Sequence, residues 1–126
     1  KGVNCMYRYS YALEKFSRAI YSLATGESNV RKRLWSVFGD DLLMITIEHL
    51  PEKLHQEYQW IIRQVTKFEE KNKGYNEYFK TPEGKYDHFL PTRVEATLHR
   101  IKNETGVKIA QKIFHIWSVL DEDSRV

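Results

Sequence analysis

An all-α fold, a compact bundle of about five helices, is what this sequence predicts, on three observations. Apolar residues recur at the three- and four-residue spacing that keeps one stripe of a helix facing a core. Glycines and capping residues fall between those stretches. No run of alternating residues has a partner run with which it could pair as a strand.

From Tyr7 to Ala24 the apolar residues fall at Tyr9, Leu13, Phe16, Ile20 and Leu23, which predicts a first helix. Gly26 is expected to end it in the left-handed conformation that glycine adopts without strain. Ser28 or Asn29 can cap a second, short helix carrying Val30, Leu34, Val37 and Phe38, with Gly39 ending it in the same way. In DDLLMITIEHLPE, Asp40 or Asp41 can cap a helical turn while MITI has the β-branched content of a strand; with no partner strand evident, a short helix and loop is expected. Pro51 suits the first turn of a long helix, where its missing N–H costs nothing, and Leu54, Tyr58, Ile61, Val65 and Phe68 form the stripe of that helix.

Residues 70–90 break the pattern with Gly74, a TPEG turn and interleaved Lys and Tyr, and read as one long loop of the kind that is often functional. Thr92 and Glu95 form a T-x-x-E capping box, so the next helix is expected to start there with Val94, Leu98 and Ile101 inward. The last helix, from Gly106 to Leu120, carries two apolar stripes, Val107, Ala110, Phe114 and Trp117 beside Ile109, Ile113, Ile116 and Leu120. So wide an apolar arc is expected to be packed on more than one side, as the central element of the bundle. One domain over 1–126 accommodates all of this, with residues 1–6 read as an extension and DEDSRV, 121–126, as an exposed tail.

The composition is 41% apolar and 29% charged with 8 Tyr, 6 Phe and 3 Trp, which is that of a globular chain rather than a disordered one. The longest apolar run, Leu42 to Ile45, is far short of the roughly 20 residues that span a bilayer, so no membrane association is expected. A single cysteine, Cys5, cannot form an intrachain disulfide, which leans toward a reducing, cytoplasmic location. The net charge of +3 is unevenly distributed. Residues 1–39 hold seven basic side chains against two acidic ones, and residues 40–59 hold one against five.

Three groups of residues are candidates for function. The basic triplet Arg31, Lys32 and Arg33 opens the second helix beside Trp35, where positive charge opposes the helix dipole and local stability does not account for it. With Arg93 and Arg100 it could form a patch contacting nucleic acid. Trp60 lies on the polar side of its helix, and Tyr7, Tyr11 and Tyr21 line a second stripe with Arg18; Tyr, Trp and Arg are the residues that carry interface energy. They are expected to bind a protein partner or a second copy of the chain. Finally, TRVEATLHRIKN places Arg93 and His99 on one helix. Six residues at 100° each set them about 120° apart, so only a second chain could bring the two together.

Other chemistries lack their residues. His49, His55, His88, His99 and His115 include no i,i+4 pair and no cysteine partner, so no metal site is expected, and the glycine patterns of nucleotide loops and hydrolase elbows are missing. No cofactor is expected.

The Arg-x5-His spacing of Arg93 and His99 resembles the R-x(4 to 6)-H signature of the HEPN superfamily, small helical domains that include metal-independent ribonucleases. The resemblance implies a dimer in which Arg93 steadies phosphate charge and His99 transfers a proton. The stretch YALEKFSRAIYSLATGESNVRKRLW, with the later LPEKL, is similar to small all-helical bacterial proteins without an assigned activity. That similarity implies helical architecture and a bacterial or mobile-element origin. The sequence reading therefore favours a non-catalytic helical interaction module, with a HEPN-like ribonuclease as the alternative.

Overall fold

A computed structural model describes residues 7–68, 79–80, 86–87 and 90–126, and its architecture is all-α. The first helix, α1 (Ser10–Thr25), buries Ala12, Phe16 and Ala19, with Leu13, Ile20 and Leu23 packed at the edges of the same stripe. α2 (Val30–Asp40) begins at Asn29, whose side chain accepts a hydrogen bond from the Lys32 backbone N–H at 3.0 Å. That bond satisfies one of the N–H groups left open at a helix start. Gly39 does not end α2: the helix runs through it to Asp40, and Leu34, Val37 and Phe38 form its buried face.

The ambiguous DDLLMITIEHLPE stretch folds as short 3-10 turns, Leu42–Met44 and Ile47–His49, and a third, Glu52–Leu54, leads into α3 (His55–Val65). Pro51 sits at the cap of that third turn in an extended conformation, so the α-helix itself starts later than Pro51 suggests. Tyr58 explains how the turns are held. Its ring is fully buried against Phe16, with centroids 6.1 Å apart, and its hydroxyl lies 2.9 Å from the carbonyls of both Leu42 and Ile45. Without that O–H, two carbonyls of a tight, buried turn would lack a side-chain donor.

Two-residue segments, β1 (Phe79–Lys80) and β2 (Tyr86–Asp87), pair antiparallel within the stretch read as a loop. Strands this short carry no alternation for a pattern search to find. α4 (Leu90–Arg100) begins before the expected capping box, with Pro91 in its first turn, so Thr92 lies inside the helix; its side chain is outside the described residues. Val94 and Leu98 are buried as expected. Phe68 falls beyond the end of α3 rather than on its stripe, and its backbone N–H donates to the buried Thr97 hydroxyl of α4 at 2.9 Å.

α5 (Asn103–Ser124) is the element on which α1, α2 and α3 all pack. Gly106 lies inside its first turn rather than at its start. A Cβ there would come within 3.0 Å of the Val30 side chain, so the glycine permits the close approach of α5 and α2. α1 and α5 run antiparallel: Trp117 donates from its indole to Ser17 near the middle of both helices, while the chain leaving α1 enters α2 beside the start of α5. The expected tail is mostly helix, since α5 continues to Ser124 and Asp123 pairs with Lys53 at 2.7 Å.

Candidate functional site

The basic triplet is the first place where the structure changes the sequence reading. Arg31 donates from Nε to Asn103 Oδ1 at 3.1 Å and from its guanidinium to the carbonyls of His99 and Ile101 at 3.3 and 3.2 Å. Those carbonyls lie at the end of α4, where helix geometry leaves acceptors without partners and a partial negative charge accumulates. Arg33 does the same for α1, donating to Leu23 O at 2.7 Å. Local stability therefore does account for two of the three charges, through the ends of neighbouring helices rather than the helix that carries them.

Gly26 is part of this arrangement. It leaves α1 in an extended conformation, φ −66° and ψ 147°, not the left-handed one expected. Its requirement is space: a Cβ at Gly26 would meet Arg33 Cγ and Cδ at 2.5 and 2.6 Å. Any larger residue would push the arginine off the α1 terminus.

Beside the triplet a groove of about 530 Å³ opens between α2 and α4. Lys32, Trp35 and Ser36 line one wall, Glu95, Leu98 and His99 the other, with Glu27 at the turn. Arg31 and Arg33 line the groove as well, so three cations stand against two carboxylates, and both arginines are already engaged with helix-end carbonyls; the groove is not strongly basic. Arg93 and Arg100 do not line it; the Arg100 guanidinium instead sits over the Phe68 ring at 5.2 Å. The five proposed nucleic-acid residues thus do not form one patch. Arg93 is half-buried while His99 is exposed at the groove, and one chain does not place the two on a common wall.

The proposed partner-binding residues are also dispersed. Tyr7 is packed on the core, and its hydroxyl is buried without a hydrogen-bond partner among the described residues; burial, reinforced by the Asp123 carboxylate, raises its pKa. Tyr11 stacks at a tilt on His49, 4.8 Å between centroids, beneath the Lys15 ammonium. Arg18 lies between Glu14 at 3.5 Å and Asp41 at 3.7 Å. Desolvation raises the Asp41 pKa, with Arg18 opposing the rise. Tyr21, 71% exposed, reaches solvent next to Arg18, whereas Trp60 belongs to a separate groove between α3 and α5.

Two surfaces were missed, both on α5. Its stripe of Ile109, Ile113, Ile116 and Leu120 is fully buried. The second stripe, expected to be packed as well, is not covered by the described residues. Val107 is 45% and Phe114 53% exposed, and Ala110 and Trp117 are half-buried between them. Phe114 and Trp117 rings lie 5.5 Å apart.

On the opposite flank of α5, Glu57 of α3 accepts from His115 Nδ1 at 2.7 Å and faces Lys112 Nζ at 3.6 Å. The Lys112 ammonium also lies 5.8 Å from the Trp60 ring centroid. Among the described residues no cluster of three His, Cys, Asp or Glu side chains could hold a metal ion, and no helix is long and apolar enough to cross a membrane. Compared with protein-family models, curated proteins and solved structures, the chain matches none.

Proposed function

We propose that this protein is a non-catalytic helical interaction module, binding a protein partner or its own copy through the outer stripe of α5. The observation that carries this reading is the Val107, Ala110, Phe114 and Trp117 row, which the described residues leave uncovered. An apolar row at helical spacing with no described element over it suits the groove or helix of another chain. Covering the exposed half of Phe114 alone would contribute roughly 1 kcal/mol. Phe114→Glu tests it, because the substitution leaves the buried stripe intact. The expected result is loss of the complexes that the wild-type chain forms in sedimentation at rising concentration and in pull-down from cells. Complexes unchanged by Phe114→Glu, or none formed by the wild type, refute the reading.

A HEPN-like dimeric ribonuclease is the second reading, favoured by one observation: His99 is exposed at the edge of the α2–α4 groove, open to an Arg93 from another chain. In that reading His99 transfers the proton and Arg93 steadies the phosphate. Cleavage of labelled RNA by the wild type and its loss in His99→Ala would support it. Equal inactivity of both removes it.

A further inference from the structure

We propose that the groove between α3 and α5 binds single-stranded nucleic acid, with phosphates held by Arg63, Lys108 and Lys112 and a base against Trp60. This surface lies on the flank of α5 away from Phe114 and does not depend on the apolar stripe being an interface.

Shape is the first support. Two adjoining hollows, about 730 and 410 Å³, share Glu57, Trp60, Lys112 and His115 and together form one trough along the helix pair. Charge is the second. Glu57, the carboxylate of this trough, has a side chain only 16% exposed and is held by His115 and Lys112, whereas Arg63 and Lys108, both toward the end of the trough away from the Lys53–Asp123 pair, are exposed. The negative group is thus turned inward and paired, Arg63 and Lys108 face solvent, and Lys112 pairs with Glu57 while keeping a half-exposed side chain. Lys108 and Lys112 are one helical turn apart, a rise of about 6 Å, so successive backbone charges can be met along one stripe.

The remaining lining separates nucleic acid from an acidic peptide. Trp60 offers a half-buried ring beside the Lys112 ammonium, and Gln56 and Gln111 bring neutral amides that can both donate and accept. Bases have π faces that use the ring and polar edges that both donate to and accept from the amides, while a run of carboxylates accepts from the amides alone and has no face for the ring. A trough this short holds a few nucleotides, so affinity belongs in the non-specific range of about 10⁻⁴ to 10⁻⁶ M.

The test is fluorescence anisotropy of a labelled oligothymidylate and an oligouridylate titrated with the full chain at about 50 and 200 mM salt. Binding at low salt that weakens with added salt is expected. Arg63→Gln combined with Lys108→Gln, both solvent-facing, should weaken it about tenfold and flatten the logarithmic salt slope by about 1.4, or 0.7 for each phosphate that is no longer neutralised. Trp60→Leu should weaken it further, while Lys32→Gln, in the other groove, should leave it unchanged. No binding at low salt overturns the proposal. So does loss of binding through Lys32→Gln but not through the groove variant, or equally tight binding of polyglutamate.

Discussion

The start of α2 and the α3–α5 groove are both rich in basic side chains, and the fold uses them in opposite ways. At α2 three consecutive charges look like a ligand site in the sequence, yet Arg31 and Arg33 close the ends of α4 and α1. In the groove the charges come from distant positions: Arg63 and Lys108 face solvent, and Lys112 pairs with a carboxylate turned inward while keeping a half-exposed side chain. A run of charge is therefore a poor measure of a charged surface. What decides is whether an unsatisfied carbonyl lies within reach of the guanidinium.

The strongest way to break this comparison is at Arg31. Arg31→Ala removes three donated hydrogen bonds and should lower the unfolding free energy by roughly 2 kcal/mol, read from urea midpoints. Arg31→Lys should recover less than half, because a single ammonium lacks the fork that reaches a side-chain amide and two carbonyls together. If Arg31→Ala is neutral, the triplet is not structural and returns as a ligand site.

Tyr58 provides a second buried polar anchor. Tyr58→Phe should cost about 1 to 2 kcal/mol by depriving the Leu42 and Ile45 carbonyls of their shared donor. Burial also raises the pKa of its hydroxyl well above the ordinary tyrosine value. The unfolded chain therefore loses this proton near pH 10 while the folded chain keeps it, and stability falls as pH rises further. Alkaline unfolding curves should be less steep for Tyr58→Phe than for the wild type.

Asp41 should give a smaller effect with the same pH sign, though here the substitution stabilises. Desolvation raises its pKa, against the pull of Arg18, so the folded chain holds the proton more tightly than the unfolded one. That favours folding at low pH and penalises it as pH rises through the carboxylate range. Asp41→Asn should raise the melting temperature at neutral pH, with a gain that shrinks near pH 3. A gain equal at both pH values would contradict the desolvation argument. The smallest effect is expected in the groove, where Arg63→Gln with Lys108→Gln should change stability by no more than about 0.5 kcal/mol in urea denaturation.

Much of the fold was legible because periodicity reports burial directly. Phe16, Leu34, Tyr58, Ile61, Val94 and Leu98 all lie inside, where their spacing put them. Helix ends were less legible. Gly26, Gly39 and Gly106 look alike as punctuation, but one makes room for Arg33, one lies within an exposed turn of helix, and one admits a neighbouring helix. The neighbours that distinguish them come from elsewhere in the chain.

The same limit governed the candidate sites. Which of two apolar stripes on α5 would be covered depended on where α1 and α3 end up. Phe114 and Ile113 are equivalent in the pattern and differ in the fold, one half-exposed and the other fully buried. Glu57 and His115, at 2.7 Å, are separated by most of α3 and all that lies between it and α5, so no motif could join them.

The uncovered α5 stripe is tested most directly by placing a benzophenone side chain at position 114 and, separately, at position 35, then irradiating the full chain with cell extract and alone. The expected result is a light-dependent covalent complex from position 114, with a protein partner or a second copy, and none from position 35. A complex captured from position 35 but not from 114, or none from either, would contradict it.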